Sequence, residues 1–309
     1  MKLLETKHLA GDTWGGLAAM LVALPSAIAF GVTIFAPLGG SYAEYGALAG
    51  ILGATALGFV APLLGGTNRL ITAPCAPAAA VMSALAIQLV QQGVAPESVL
   101  LMLTVIGLIT GVLQVVFGTV GLGRLIKYMP YPVVSGYLSG VGLIIIISQI
   151  PKFVGVPQGV PFKESLTSPS TWLWQGIAVG AVTVAVMALA PKLTKAVPGA
   201  ILGLAAGVLA YFGLAMADES LLGLAGNALV VGPLGSSEAG FFDAMAGRWV
   251  ATGSLELGGL ADLLVPGLTL AVLLSIDTLK TCVVTDALTR SRHNSDRELV
   301  AQGLGNLAS

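Results

Sequence analysis

Charge is what this sequence has least of. Only 9% of its 309 residues are Asp, Glu, Lys or Arg, while 56% are hydrophobic. A soluble domain carries about 25% charged residues. A surface this poor in charge cannot be solvated by water alone, so lipid must face much of it. The net charge of −1 lacks the basic footprint of a nucleic-acid binder. Cysteine is nearly absent. Cys75 and Cys282 lie far apart in apolar surroundings, which excludes a metal-ligand spacing and a disulfide framework. His8 and His293 are the only histidines, one in the N-terminal tail and one in a basic loop. With no nucleophile elbow, zinc motif or P-loop, the sequence does not read as an enzyme, and it names no bound cofactor. Residues 1–12 are polar and the first apolar run is long. That is not the pattern of a cleaved signal peptide, so the first helix is expected to stay in the protein.

What is abundant is apolar sequence in long runs, with 41 glycines among them. Glycine is commoner in membrane helices than in soluble ones. A bilayer core needs about 20 apolar residues per helix. The runs predict spans at about 13–36, 45–64, 73–90, 98–120, 132–150, 172–190, 197–216 and 260–283. A ninth stretch, about 295–308, is amphipathic and too short to span. The third run opens with Ala73-Pro74-Cys75-Ala76-Pro77. Proline cannot donate a backbone hydrogen bond and suits the first turn of a helix. The third helix is therefore expected to begin inside the membrane after a non-helical segment at 65–73, or else merely to kink.

Placing the N-terminus inside and alternating puts ten cations on the inner side: Lys2, Lys7, Arg69, Arg124, Lys127, Lys192, Lys195, Arg290, Arg292 and Arg297. Three fall outside: Lys152, Lys163 and Arg248. That asymmetry predicts eight crossings, a cytoplasmic N-terminus and an extracytoplasmic loop at about 217–257. Residues 15–22 (GGLAAMLV) and 258–265 (GGLADLLV) share six of eight positions, and each octet opens a long run. Seven spans separate the two starts, so the second run lies antiparallel to the first, as an inverted repeat of seven helices requires.

The last long run holds Asp277, Lys280 and Thr281. An ionised group at mid-membrane costs about 2.5–3.5 kcal/mol on insertion scales and usually faces a cavity or a partner. Asp277 and Thr281 are i,i+4 on one helical face, and Lys280 is i+3 from Asp277. Asp277 and Thr281 can supply oxygens to a site for a coupling ion, sodium or a proton. Alternatively Asp277 and Lys280 form a structural pair, with Lys280 snorkelling to the inner surface. The buried start of the third helix is the candidate anion site. Its unpaired N–H groups carry about half a positive charge, and Cys75 and Ala76 are small enough to let a ligand approach. Ser26 and Phe30, i,i+4 around an expected helix break at Pro25, are candidate contacts there or else ordinary packing.

These motifs resemble the sulfate permease (SulP) family of anion transporters. The resemblance runs through Gly11-Asp12, Gly15-Gly16-Leu17 and Ala23-Leu24-Pro25 to Phe30-Gly31, then Phe117-Gly118 and Met129-Pro130-Tyr131-Pro132. It is most specific over Ser275-Ile276-Asp277 and from Asp286 through Thr289-Arg290 and Asn294 to Leu299, with Gln302-Gly303 and Gly305-Asn306. Bacterial members that carry bicarbonate are closest in pattern. The resemblance implies an all-α integral membrane fold of fourteen segments in two inverted sevens. Core helices would lie at about 13–120 and 258–308, and gate helices at about 124–216. The core would move against the gate like an elevator. Helices ten to fourteen and any C-terminal STAS domain are then expected beyond Ser309, and this stretch is not expected to transport alone. The full-length protein is expected to be a homodimer.

The resemblance also implies roles. Asp277 and Thr281 match sodium-site residues. Cys75 stands where bicarbonate carriers have a substrate-contacting Thr, and Ala76 where they have Gly. Ser26 takes a position often held by Gln, and Phe30 matches an aromatic beside the anion. Lys280 replaces an apolar residue, so its ammonium can stand in for bound sodium. The expected function is secondary active transport, by symport or exchange, of a small inorganic anion or carboxylate such as sulfate or bicarbonate. An anion channel or a non-transporting membrane scaffold is the alternative. The charge asymmetry predicts the sidedness directly: an impermeant thiol reagent should label a cysteine introduced at Ser236 in intact cells, and one introduced at Thr194 only after permeabilisation.

Overall fold

Apolar runs punctuated by Gly and Pro fold as the period of their small residues dictates, into helices that pack backbone to backbone. The computed structural model describes residues 9–67, 69–128, 130–156, 167, 169–194, 197, 199–223, 227, 229–230 and 257–309. Among these, nine α-helices occur: α1 (Leu9–Phe35), α2 (Gly40–Leu64), α3 (Ala76–Gln91), α4 (Pro96–Val120), α5 (Tyr131–Phe153), α6 (Trp174–Leu193), α7 (Gly199–Ala215), α8 (Leu257–Thr289) and α9 (Ser295–Ala308). The expected extracytoplasmic loop at 217–257 lies mostly outside the described residues. Near its start, Asp218 caps a short turn at Glu219–Leu222 and accepts from the Ser220 hydroxyl at 2.6 Å. That bond, with the Ser220 amide, holds the Asp218 carboxyl below its usual range.

Five stretches are long and apolar enough to cross a bilayer: Gly11–Leu38, Tyr42–Leu64, Pro96–Val120, Trp174–Leu193 and Asp262–Thr289. Their outward side chains are those a lipid-facing surface requires; Phe59, Val120 and Val265 are each about 70% exposed and apolar. By contrast α3 has 16 residues, about 24 Å of helix, against a core of about 30 Å. The backbone from Gly65 to Cys75 is non-helical wherever it is described, so this helix does start late, two residues beyond the expected 65–73 segment. The expected break at Pro25 is not one: α1 runs through it unbroken. Proline at position 25 leaves the Leu21 carbonyl without its intrahelical donor, a loss membrane helices tolerate. One residue on, the Ser26 hydroxyl donates to the Val22 carbonyl at 3.1 Å.

By contact the chain forms two units. The first is Met1–Ser26 with Ile144–Pro233. Within it α6 and α7 pack along Gly199, Gly203 and Gly207, where an added Cβ would meet Met187 or Thr183. This four-residue spacing of glycines is the close-approach motif of membrane helices. Tyr211 donates to the Leu221 carbonyl at 2.6 Å and accepts from Asn227 at 2.8 Å, tying α7 to the segment after it.

The second unit is Ala27–Leu143 with Leu234–Ser309. Its part of α1 crosses α2 where a Cβ on Gly31 or Gly50 would run into the carbonyl of Gly46 or Ala27. The Ser83 hydroxyl of α3 donates to the Thr33 carbonyl of α1 at 3.0 Å. Leu38, Ala86, Val99 and Leu103 form one apolar cluster, and Val105, Ile106, Leu263 and Leu270 join α4 to α8 in another. The short α9 lies against α4 and α2. Gly303 packs on Val115 and the Gly111 carbonyl, and Gly118 on Val300 and the Asp296 carbonyl.

The seam between α4 and α9 has no room for a side chain at Gly303. Gly303→Val should lower the melting temperature of the detergent-solubilised protein, by the overpacking cost of about 1–3 kcal/mol. Gly107→Ala, where nothing lies within 4 Å of the new methyl, should not lower it. Fluorescence-monitored size exclusion after heating checks both.

Candidate functional site

The late start of α3 decides the chemistry of the second unit. Pro74 and Pro77 flank Cys75, the residue that caps the helix with extended dihedrals of φ −117° and ψ 150°. No side-chain oxygen caps the first turn. Pro77 has no N–H, so the amides of Ala76 and Ala78 are the donors at this end, with the partial positive charge of the helix behind them.

This end opens on a cavity of about 330 Å³. Cys75 and Phe30 line it from one side and Asp277 and Thr281 from another, so the structure brings four of the expected residues together. Ala76 is the first helical residue, directly beside Cys75. Ser26 belongs to the first unit, where its hydroxyl is engaged by Val22. Much of the remaining wall is apolar, with Leu57, Leu70, Met82 and Leu274 among its members.

Asp277 accepts from the Lys280 ammonium at 2.9 Å, with side-chain exposures of 22% and 6%. Lys280 is thus buried on its partner and does not snorkel to a surface. Thr281 donates its hydroxyl proton to the Asp277 backbone carbonyl at 2.8 Å, which leaves its oxygen free to accept or to ligate. The donor set fits sodium poorly: the Lys280 ammonium already sits 2.9 Å from Asp277 Oδ1 and would compete with, and repel, a second cation at that carboxylate. Among the described residues no cluster of three or more His, Cys, Asp or Glu side chains could hold a metal.

The sequence reading gave no role to the polar residues of α9, and they complete the site. Glu298 and Gln302, each under 5% exposed, and Asn306 recur every four residues. They form one stripe that points inward, although an amphipathic helix ordinarily turns its polar face to water. Gly66 donates its N–H to Glu298 Oε2 at 2.8 Å, and Gln302 Nε2 donates to Glu298 Oε1 at 3.1 Å. Gln302 Nε2 also donates to Thr72 Oγ1 at 2.6 Å. Arg297 donates to the Leu64 carbonyl at 2.8 Å, and the Asn294 amide to the Gly66 carbonyl at 3.0 Å. Asn306 donates to Gln114 at 2.6 Å. Thr72, Gln302 and Asn306 all face the cavity. Their four-residue period was the available signal, but it does not reveal which way the stripe turns.

The fold also links Asp286, His293 and Ser295, which lie at 2.7 Å and 2.9 Å in series. The order is that of a hydrolase triad, but Ser295 is 6% exposed, and Asp286 also holds the His293 amide and the Ser291 hydroxyl. The group staples the turn between α8 and α9.

Comparison with known proteins agrees with this architecture. The profile of the Sulfate permease family matches residues 9–309. The chain is 34% identical over 314 residues to the bicarbonate transporter BicA of Picosynechococcus sp., covering 98% of this chain and 50% of that protein. It is 32% identical over 313 residues to BicA of Synechocystis sp., with the same coverage. It is 24% identical over 305 residues to the putative sulfate transporter YvdB of Bacillus subtilis, covering 96% of the chain and 52% of that relative. The chain thus spans about half the length of these relatives. The transmembrane domain of a cyanobacterial BicA superposes with a TM-score of 0.72 at 30% identity, over 98% of this chain and 72% of that one. The relatives are membrane transporters and not enzymes, and the described helices follow the order of a first seven-helix repeat, α1–α7, and the opening of a second, α8–α9. The chain belongs to the sulfate permease family.

Proposed function

We propose that the protein is a secondary active transporter of a small anion, sulfate or bicarbonate being the first candidates, working by elevator-type alternating access. The observation that carries the reading is the cavity at the broken start of α3, where the uncapped helix start, lining the wall at Cys75 and Ala78, shares the space with a carboxylate already paired with Lys280. An anion there meets amide dipoles without a free opposing charge, so it can bind and leave. The division into core (about 13–120 and 258–308) and gate (about 124–216) belongs to this reading, as do a homodimer, the cell membrane and a cytoplasmic N-terminus. Sulfate and bicarbonate enter because relatives carry those names.

Lys280 sets the coupling. A fixed ammonium on Asp277 does the electrostatic work of a bound cation, so transport proceeds without sodium, and a proton or a counter-anion balances the charge. Removing one partner of a buried pair strands the other at a cost of about 3–5 kcal/mol.

Uptake of radiolabelled sulfate, bicarbonate and small dicarboxylates by cells expressing the full gene product tests the function. Saturable uptake of one of them is expected, and electrical currents far above carrier turnover would favour a channel instead. Replacing sodium by choline should leave wild-type uptake within about twofold. In Lys280→Ala the vacated Asp277 can take a cation, so uptake should become sodium-dependent by about tenfold. Asp277→Asn should abolish uptake. A wild-type collapse in choline would overturn the role given to Lys280.

A further inference from the structure

The polar stripe of α9 does more than hold a backbone in place. Both oxygens of Glu298 accept hydrogen bonds, from the Gly66 amide and from Gln302. A carboxylate in that position dictates how the neighbouring amide sits: the Gln302 NH2 group must face Glu298, because its carbonyl would be repelled. The same nitrogen then reaches Thr72 Oγ1 at 2.6 Å. Thr72 is therefore the acceptor in this pair, and its hydroxyl proton is not used to bind Gln302. No other hydrogen-bond partner of the Thr72 hydroxyl occurs among the described residues. The side chain lines the cavity, three residues before the capping Cys75.

We propose that Thr72 is a substrate-contacting residue, a hydroxyl donor aimed at the transported anion by the relay Glu298–Gln302–Thr72. The inference rests on the transporter reading above and deepens it. At position 75 a thiol, a weak donor, faces the anion. The oriented Thr72 hydroxyl supplies a stronger donor from the same wall. An oxyanion such as sulfate or bicarbonate presents the acceptor oxygens that such a donor suits. In the relay Thr72 touches substrate, while Gln302 and Glu298 are positioning residues that act through it.

The experiment measures KM and maximal rate for uptake of radiolabelled sulfate and of bicarbonate by the full gene product, using whichever ion the wild type carries. Thr72→Val keeps the shape and removes the donor. Its KM should rise about tenfold, the worth of one hydrogen bond to a charged ligand, with the maximal rate changed by less than about twofold. Thr72→Ser should restore KM to within about twofold. Gln302→Leu removes the aim and should reproduce the Thr72→Val increase. The double variant should be no worse than either single one, because both remove the same bond. An unchanged KM in Thr72→Val, or additive losses in the double variant, would overturn the proposal. If Thr72→Val does not reach the membrane, Thr72→Ala and Thr72→Ser decide in its place by the same difference in KM. Wild-type uptake with an unaltered Thr72→Val sinks only this inference; absence of wild-type uptake of every anion sinks the transporter reading with it.

Discussion

A stretch of chain that leaves the helix at membrane depth must find partners for its backbone, because lipid offers none. The described part of 65–75 leaves the helix between two apolar ones, and much of the second unit follows from how its polar groups are answered. The last carbonyl of α2 goes to Arg297, the Gly66 amide to Glu298 and the Gly66 carbonyl to the Asn294 amide. These partners come from the first turn of α9 and the residue that caps it. That explains why so polar a helix is buried, and why α9 and α4 meet at Gly111, Gly118 and Gly303. Only glycine lets α9 come close enough for its side chains to reach the broken segment.

The clamp leaves the other end of the segment open. Beyond Thr72 the chain reaches Cys75 and turns into α3 with its first amides uncapped. Partial positive charge at a helix start is small, and in water it would matter little. In a cavity walled by Leu, Met and Phe side chains the same dipole acts through a low dielectric. The structure therefore keeps its polar donors few and fixed, and neutralises its one carboxylate at the site with Lys280 at 2.9 Å. In the proposed transporter, a neutral pair beside a helix start leaves the anion facing amide dipoles without an added full charge.

The Asp277–Lys280 pair is formed within one helix. Both residues sit on α8 within a turn of each other, so the ammonium is carried by the same rigid element as the carboxylate. A bound ion can dissociate, whereas a tethered ammonium cannot. The Asp286–His293–Ser295 chain makes a related point about inference from geometry: correct order and distances do not make a catalytic group when the hydroxyl is buried and the carboxylate holds a turn.

The apolar runs were legible because their length is set by the bilayer, and the late start of α3 was one of the two readings, a start or a kink, that Pro74 and Pro77 allowed. Asp277 and Thr281 could be placed on one face from their spacing alone, and so could the reach of Lys280. The family resemblance supplied the expectation that Cys75 and Phe30 share their cavity. Spacing alone did not show that α1 passes unbroken through Pro25, since one lost backbone bond does not end a helix whose neighbours hold it. Nor did it show the inward turn of Glu298, Gln302 and Asn306. The sequence by itself determined which segments are helical and which residues share a helical face, because those follow from local period and covalent geometry. The tertiary structure alone decided which face is buried and against what, because that depends on glycine-sized gaps between helices far apart in the chain.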